Sequence, residues 1–331
     1  MSGFVPQPDL QYVMTICQLE MVFVLFAIAS FQVVDDIMIG NVEVTPKIEI
    51  VEIPNKLSVF KQIGCDRYVN VFGIHIFATP NTPENKLSHA AGILAQYIDN
   101  DEDGIPDNTL VLSHLISRDV FIIMPGTESE MDRLDLHVVE EAGFHYGQDL
   151  YGEETKPDFI IDGKINAPDG DYYDGALEEI LHPITHHGYA NAYPNVFGLR
   201  RGSLLSKCLD TARGGYFENV PKDGPKSGYP IESWFHYTDE TCDYGCMMTE
   251  YIYWALTSIL GTQDFPGRDE ALEVEWELNT REKVKTVDNS VYELLTDPKY
   301  KFPTKAPDGN YKPSANPVTT IQIIPFKDEG E

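Results

Sequence analysis

The chain has 331 residues, enough for one large domain or two ordinary ones, and 42% of them are hydrophobic, which supports a packed core. Its 53 acidic side chains outnumber its 24 basic ones and give a formal net charge of −29. Such a surface repels phosphates, so the charge argues against nucleic acid as a partner. It suits cation binding, high-salt surroundings or simple solubility, and solubility alone accounts for most of the charges.

The first 46 residues contain no Lys or Arg, and they include the apolar run Met21–Ala29. This run is too short to span a bilayer, but its length and its small residues are typical of a secretory signal. We therefore expect 1–46 to be a leader or a disordered segment and 47–331 to be a single globular domain. The protein is then secreted to the extracellular space and has no transmembrane span. Two alternatives stay open, namely translation from Met21 and a buried strand over the apolar run.

The cysteines also bear on whether the protein is secreted. Cys17 lies in the expected leader, and the other four, Cys65, Cys208, Cys242 and Cys246, permit two disulfides in one of three pairings. The alternatives are free thiols in a cytosolic protein and a role of the last two as soft metal ligands.

The order of predicted elements indicates an α+β fold. Apolar and β-branched runs predict strands over 48–53, 68–78, 119–124 and 158–161. Apolar residues at helical spacing predict helices over 84–98, 203–212, the second half of 241–261, 270–286 and 288–295. A strand-rich part, 47–165, is thus followed by a helical part, 166–300, and by a Pro-rich tail, 301–331, that we expect to wrap the surface.

The helix predicted over 84–98 runs directly into the acidic stretch DNDEDGIPDN, residues 99–108. Calcium takes six to eight hard oxygen ligands, and alternating Asp residues in a tight loop converge on one point. Gly104 supplies the backbone freedom that the reversal needs. We predict a calcium ion bound by the side chains of Asp99, Asp101, Asp103 and Asp107 and by the carbonyl of Ile105.

This stretch resembles the calcium loops of EF-hands and, more closely, those of thrombospondin type-3 and dockerin repeats. Together with a second helix over 108–117, the resemblance implies one EF-hand-like helix–loop–helix. The sequence departs from the EF-hand at the twelfth position, where Leu110 replaces the bidentate Glu. The alternative is an uncoordinated acidic turn, in which four carboxylates would repel one another.

The stretch DGALEEILHPITHHGYAN, residues 174–191, holds three of the nine histidines. At about 100° per residue, Glu178, Glu179, His182 and His186 share one helical face. Two imidazoles one turn apart can bind a transition metal, and a carboxylate can complete the shell or accept a proton from a bound water. The alternative is a set of partly buried side chains joined by local salt links.

A second candidate ligand comes later in the chain. Glu250 lies in the apolar helix that is predicted to end at Gly261. A carboxylate in such a helix is seldom buried without a partner. A cation is one partner, and an Arg side chain or a backbone amide is the alternative.

The predicted order is strands, then a helix with candidate metal-binding residues, then a later helix with a Glu. This order resembles that of the zincin metallopeptidases, in particular the gluzincin branch. In that family HExxH supplies two ligands and a general base, and the later Glu supplies the third ligand. Two registers match in part. In one, His182 and His186 are the ligands, and Pro183 stands where the base belongs. In the other, residues 178–182, EEILH, match the motif with a Glu in place of the first His.

The resemblance implies a zincin-like fold, with a small mixed sheet followed by a mostly helical half. It also implies zinc bound by His182, His186 and Glu250, with Glu179 as the general base. We expect a ligand-atom separation of about 4 Å or less between Glu250 and the imidazoles if they share an ion. Candidates for stabilising the oxyanion are Tyr189 and His236.

We therefore expect a secreted calcium-binding protein with a zinc site, acting as a divergent metallohydrolase or metallopeptidase on a peptide or protein substrate. Hydrolysis of an ester or another non-peptide bond would use the same site. The alternative from a different class is a non-enzymatic secreted protein, in which calcium and disulfides stiffen a scaffold that captures metals or partners.

Overall fold

A computed structural model describes residues 40–272 and 274–324 of the chain. It has a mixed α+β fold, in which a five-stranded sheet precedes a largely helical half. The predicted α+β class is therefore confirmed. The expected leader run Met21–Ala29 and Cys17 lie outside the described residues.

The described strands are β1 Asn41–Val44, β2 Ile50–Val51, β3 Arg67–Val71, β4 Ile74–Ala78, β5 Phe121–Met124, β6 Gly147–Asp149, β7 Ile160–Ile161, β8 Lys164–Ile165 and β9 Thr319–Gln322. The α-helices are α1 Val59–Gln62, α2 Glu84–Ile98, α3 Thr109–Ser117, α4 Glu128–Met131, α5 His137–Glu141, α6 Ala176–Glu179, α7 Leu181–Pro183, α8 Ala190–Ala192, α9 Pro194–Phe197, α10 Leu204–Ala212, α11 Tyr244–Leu260, α12 Arg268–Leu272, α13 Arg281–Val287 and α14 Asn289–Thr296. A 3₁₀ turn covers Asn55–Leu57, and a π-helical turn covers Ile184–Tyr189.

The main sheet has the strand order β2-β3-β4-β5-β6. The pairs β2–β3 and β3–β4 are antiparallel, whereas β4–β5 and β5–β6 are parallel. One predicted strand, 68–78, is in fact the hairpin β3–β4. Phe72 and Gly73 both adopt positive φ, at 49° and 94°, and form the tight turn between the two strands. Gly73 was the one sign of the break in the sequence, whereas Phe72 beside it rarely adopts positive φ and pointed to a continuous strand.

Both faces of the sheet are covered. On one face, Ile76 of β4 and Ile122 of β5 belong to the large core that includes Leu94 of α2. On the other face, Phe77 stacks on Phe60 of α1 with ring centroids 3.5 Å apart. The alternation along β4 thus buries the sheet between two hydrophobic layers.

The helical half is built around α11, most of whose side chains are buried. Asp243 caps its first turn by accepting a hydrogen bond from the Cys246 amide. The helix ends at Gly261, as predicted, and Gly261 adopts the left-handed conformation. The prediction of a single helix over 270–286 was wrong. Trp276, fully buried, pairs its backbone with Phe235 instead, and a new helix begins after Thr280.

Strand β1 falls within the segment expected to be a leader or disordered, 1–46. Its residues pair with β9, so the folded part of the chain includes residues 41–44. The Pro-rich stretch that precedes β9 lies along α2. The side-chain oxygen of Gln96 in α2 accepts hydrogen bonds from the amides of Asp308 and Gly309.

The cysteines form one disulfide, Cys242–Cys246, at the start of α11. Cys65 and Cys208 are buried free thiols, so these four residues do not make two disulfides. Among the described residues, none of the helices combines the length and the apolarity needed to cross a bilayer.

Candidate metal centre

The central histidine stretch folds as a nearly continuous helical segment from Ala176 to Ala192, here called the metal helix. Its regular α-helical geometry changes at Pro183, which has no amide hydrogen to donate to the carbonyl one turn earlier. The segment continues as the π-helical turn Ile184–Tyr189. Consequently the residues before and after Pro183 do not keep the angular relationship of an ideal α-helix.

The start of the metal helix is fixed by Asp174. Its carboxylate accepts hydrogen bonds from the Lys156 amide at 2.7 Å and the Ala176 amide at 3.3 Å. It also lies 2.6 Å from Nε2 of His89 on α2, in a buried pair. These contacts anchor the helix to the layer that covers the sheet.

Three candidate ligands meet between the metal helix and α11. Ligand atoms of Glu178, His182 and Glu250 all lie within 4.8 Å of one another. Nε2 of His182 is 3.5 Å from Oε2 of Glu250, and the two residues are 8% and 4% exposed. Neither of these two atoms has a hydrogen-bond partner among the described residues. Unless a cation or a proton on Nε2 joins them, the two buried atoms are unsatisfied, which costs about 1–3 kcal/mol for each atom.

The separation of these atoms fits a shared metal. Zinc binds His nitrogen and carboxylate oxygen at about 2.0–2.2 Å, so neighbouring ligands of a tetrahedral zinc lie about 3.3 Å apart. The observed 3.5 Å between Nε2 of His182 and Oε2 of Glu250 is close to that value. The residues therefore fit a zinc ion, which would satisfy both unpartnered atoms.

The pKa shifts of the groups around the cluster also favour a bound cation. Burial and the nearby Glu250 raise the pKa of Glu178 well above its usual range. Burial also raises the pKa of Glu179. For His182, burial opposes the charged form, but Glu250 and Glu179 outweigh it and raise the pKa well above the ordinary value.

Two further carboxylates lie in the same field. The pKa of Glu154 is raised to about 8 by burial and by Glu179, and that of Glu275 to about 7 by burial and by Glu250. Glu154 and Glu275 thus feel the charges of Glu179 and Glu250, respectively. A divalent cation at the cluster would stabilise the ionised forms of these carboxylates.

The opposite edge of the His182 ring faces Glu179. Oε2 of Glu179 lies 3.5 Å from Nδ1 of His182, and it accepts a hydrogen bond of 2.7 Å from the side-chain amide of Gln148 on β6. The ring is therefore bracketed by Glu250 at one nitrogen and by Glu179 at the other. Gln148 was not a sequence candidate, because its three-residue strand has no recognisable pattern.

His186, a predicted zinc ligand, is not a member of the cluster. Its Nδ1 lies 3.5 Å from the Thr249 hydroxyl, and burial lowers the pKa of its imidazole to about 4. Glu178 takes its place, one turn before His182. The cluster therefore follows the second register, EEILH, whose i, i+4 spacing of Glu178 and His182 was visible in the sequence.

The two candidates for stabilising an oxyanion make other contacts. The Tyr189 hydroxyl donates to the Lys301 carbonyl at 3.1 Å. Nε2 of His236 lies 2.9 Å from the Ser233 carbonyl and 3.3 Å from the Glu277 carboxylate. The structure gives neither residue a contact with the cluster.

The acidic loop lies between α2 and α3, where the sequence predicted it. Carboxylate oxygens of Asp99, Asp101 and Asp103 lie within 4.8 Å of one another. Gly104, at φ 90°, turns the chain and donates its amide to Asp99 at 2.8 Å. Asn108 then caps α3 by accepting a hydrogen bond from the Val111 amide.

The two other predicted calcium ligands differ from this trio. Asp107 is not a member of the cluster, and one of its oxygens accepts a hydrogen bond of 2.7 Å from the Asn100 amide. Ile105 is exposed, and its amide donates to Asp103 at 2.8 Å. The C-terminal segment covers part of the loop, where the Tyr311 hydroxyl donates to Asp99 at 2.5 Å.

Comparison of the chain with protein-family models, with curated proteins and with solved structures found no match in any of the three. The interpretation of the two acidic clusters therefore depends on their own geometry and chemistry.

Proposed function

We propose that this chain is a zinc-dependent hydrolase with a gluzincin-like site, in which Glu178, His182 and Glu250 hold the metal. The observation that carries the proposal is the buried, unpartnered pair of His182 Nε2 and Glu250 Oε2 at the spacing of two zinc ligands. The zincin-like fold is part of the same proposal. It is supported by the order of a mixed sheet, a helix with EEILH and a later helix with Glu250.

Zinc is the expected ion because the cluster contains an imidazole. Calcium and magnesium prefer shells made only of oxygen, whereas one nitrogen and two carboxylates suit zinc and its first-row neighbours. Three protein ligands leave a fourth position for water or substrate, as in catalytic rather than structural zinc sites.

A bound ion would supply Lewis acidity that makes a water nucleophilic near neutral pH. The gluzincin resemblance implies Glu179 as the base, but its Oε2 lies at Nδ1 of His182, on the opposite edge of the ring from Nε2, and accepts a hydrogen bond from Gln148. We therefore propose Glu179 as the carboxylate that orients His182 rather than as the base. Glu178 and Glu250 provide negative charge, and His182 acts as a neutral nitrogen donor. Peptides or proteins are the proposed substrates, on the basis of the gluzincin resemblance.

Metal analysis tests the site before any substrate is known. Purified protein should contain about one zinc per chain after dialysis, lose it to a strong chelator, and recover it when zinc is added. Glu250→Gln and His182→Gln should each remove the zinc, whereas His186→Gln, a matched change on the same helix, should not. Zinc binding that is lost in His186→Gln and kept in Glu250→Gln would contradict the proposed ligands.

A hydrolysis assay then separates the enzyme from its main alternative. The low exposure of His182 and Glu250 favours a second candidate, a non-enzymatic metal-binding protein. Zinc-loaded protein should cleave casein or members of a peptide library, and chelation should stop cleavage. Protein that holds one zinc and cleaves neither would support the second candidate.

We also propose that the loop between α2 and α3 binds calcium in an EF-hand-like helix–loop–helix. Support comes from the three converging Asp side chains and from the turn at Gly104. Secretion is the proposed location, because calcium at this kind of site and the Cys242–Cys246 disulfide both suit an extracellular protein.

A further inference from the structure

Gln148 connects the sheet to the candidate metal centre. Its strand, β6, pairs in parallel with β5, where Gln148 lies opposite Ile122. The side chain is half-buried, and its amide nitrogen lies 2.7 Å from Oε2 of Glu179. An amide oxygen turned toward the carboxylate would be repelled, so the N–H group must be the one that faces Glu179.

The same Glu179 oxygen lies 3.5 Å from Nδ1 of His182. A carboxylate oxygen that receives an N–H from Gln148 is held in place as an acceptor. It can then accept a second hydrogen bond from an Nδ1–H group of His182. With the proton on Nδ1, the lone pair of the ring is on Nε2, the atom that faces Glu250.

A tether of this kind is needed because the backbone next to His182 is irregular. The α-helical hydrogen bonds are interrupted at Pro183, directly after His182, and a π-helical turn follows. A side chain carried by the sheet is independent of that interruption. Gln148 can therefore help to fix the orientation of the His182 ring, which the interrupted helix constrains less than a regular helix would.

We propose that Gln148 is a positioning residue of the metal centre, which holds Glu179 so that His182 presents the lone pair of Nε2 to the cation. The inference rests on the proposed metal site. It concerns affinity and orientation, so it can be tested without a substrate.

The test uses Gln148→Met, which keeps the length of the side chain and removes its donor. Zinc affinity is measured by competition with a chromophoric chelator. We expect binding up to about 10-fold weaker than in the wild type, the lower end of the range for direct outer-shell partners of metal ligands, because Gln148 acts on His182 through Glu179. Gln62→Met is the matched control, because Gln62 is exposed at the end of α1, and its zinc affinity should equal that of the wild type.

A double-mutant cycle separates positioning from a general structural role. If Gln148 acts through Glu179, then Gln148→Met should weaken zinc binding by less than about twofold in a Glu179→Leu background, which has no acceptor for either N–H group. A purely structural role would instead lower the unfolding temperature of the metal-free protein and weaken zinc binding equally in both backgrounds.

Three results would overturn the inference. Wild-type zinc affinity in Gln148→Met, or an equal loss in the two backgrounds, would overturn it while leaving the metal site intact. A wild-type protein that binds no zinc would overturn the metal site and the role of Gln148 together. The wild-type measurement thus distinguishes the two failures.

Discussion

Nε2 of His182 and Oε2 of Glu250 face each other at 3.5 Å inside the protein, although their helices come from distant parts of the chain. Neither atom has a hydrogen-bond partner among the residues that the structure describes. A native fold rarely leaves two such atoms side by side unless a proton or a cation joins them. The predictions below follow from this relationship and from the groups around it.

Replacing Glu250 by Gln should weaken zinc binding more than about 100-fold, because loss of a direct ligand exceeds the effect of losing an outer-shell partner. The measurement is competition with a chelator at pH 7. Glu275→Gln is the control, since Glu275 lies in the same electrostatic field but not in the cluster, and it should change the affinity only slightly. Equal affinities of wild type and Glu250→Gln would remove Glu250 from the site.

Replacing Glu179 by Gln should keep most of the metal and most of the hydrolysis. Oε2 of Glu179 lies at Nδ1 of His182, on the opposite edge of the ring from Nε2, so it is not placed to take the proton of a water on the ion. The Gln oxygen can still accept a hydrogen bond from Nδ1 of His182, so most of the zinc affinity should remain. Turnover and zinc content are measured on the same samples. A rate that falls about 10²- to 10⁴-fold while the metal is kept would show instead that Glu179 is the base.

His75 should make the protein less stable at mildly acidic pH. Burial and, to a smaller extent, Lys56 lower the pKa of its imidazole to about 4, against about 6.5 in the unfolded chain. Between these values the unfolded state binds the extra proton. The contribution is therefore fully present above about pH 6.5 and is lost as the pH falls toward 4.

The expected loss from this one group between pH 7 and pH 5 is about 2 kcal/mol. Urea unfolding of wild type and His75→Gln at both pH values measures it, and the variant should lose less stability by about that amount. His137→Gln, at an exposed histidine of α5, should behave like the wild type. Parallel pH dependence of wild type and His75→Gln would contradict the assignment.

Calcium should raise the unfolding temperature of the wild type. A ligand that binds only the folded state at 100 times its Kd adds about 2.7 kcal/mol of stability. Asp103→Asn should remove most of this effect, because Asp103 belongs to the acidic cluster of the loop. Asp171→Asn, at an exposed site elsewhere, should retain it. An Asp103→Asn variant that calcium stabilises as strongly as the wild type would rule out this loop as the site.

Some long patterns predicted regular elements correctly, but the strand over 68–78 and the helix over 270–286 were wrong. Apolar spacing gave α2 with its observed bounds, Glu84–Ile98, and the acidic loop follows it directly. The turn at Phe72 and Gly73 was missed although Gly73 was a sign of it, because a bulky residue such as Phe72 rarely adopts positive φ. Strand β1 was missed for a different reason, since its partner, β9, lies at the other end of the chain.

The candidate site could be predicted from the sequence only in part. The sequence suggested that His182 and Glu250 meet, because a buried imidazole and a buried carboxylate both need partners. The choice between Glu178 and His186 depended on a local change of helix type after Pro183, which ideal helical angles do not describe. Gln148 was beyond reach, because its role depends on which strand lies next to the metal helix.

The most direct measurement is the position of a zinc ion in a crystal of the wild-type protein, located by anomalous diffraction at the zinc absorption edge. We expect one strong peak about 2.0–2.2 Å from Nε2 of His182 and from a carboxylate oxygen of Glu178 and of Glu250. A crystal grown with zinc that shows no peak there, or whose peak lies at His186 and His187 instead, would contradict the proposed metal centre.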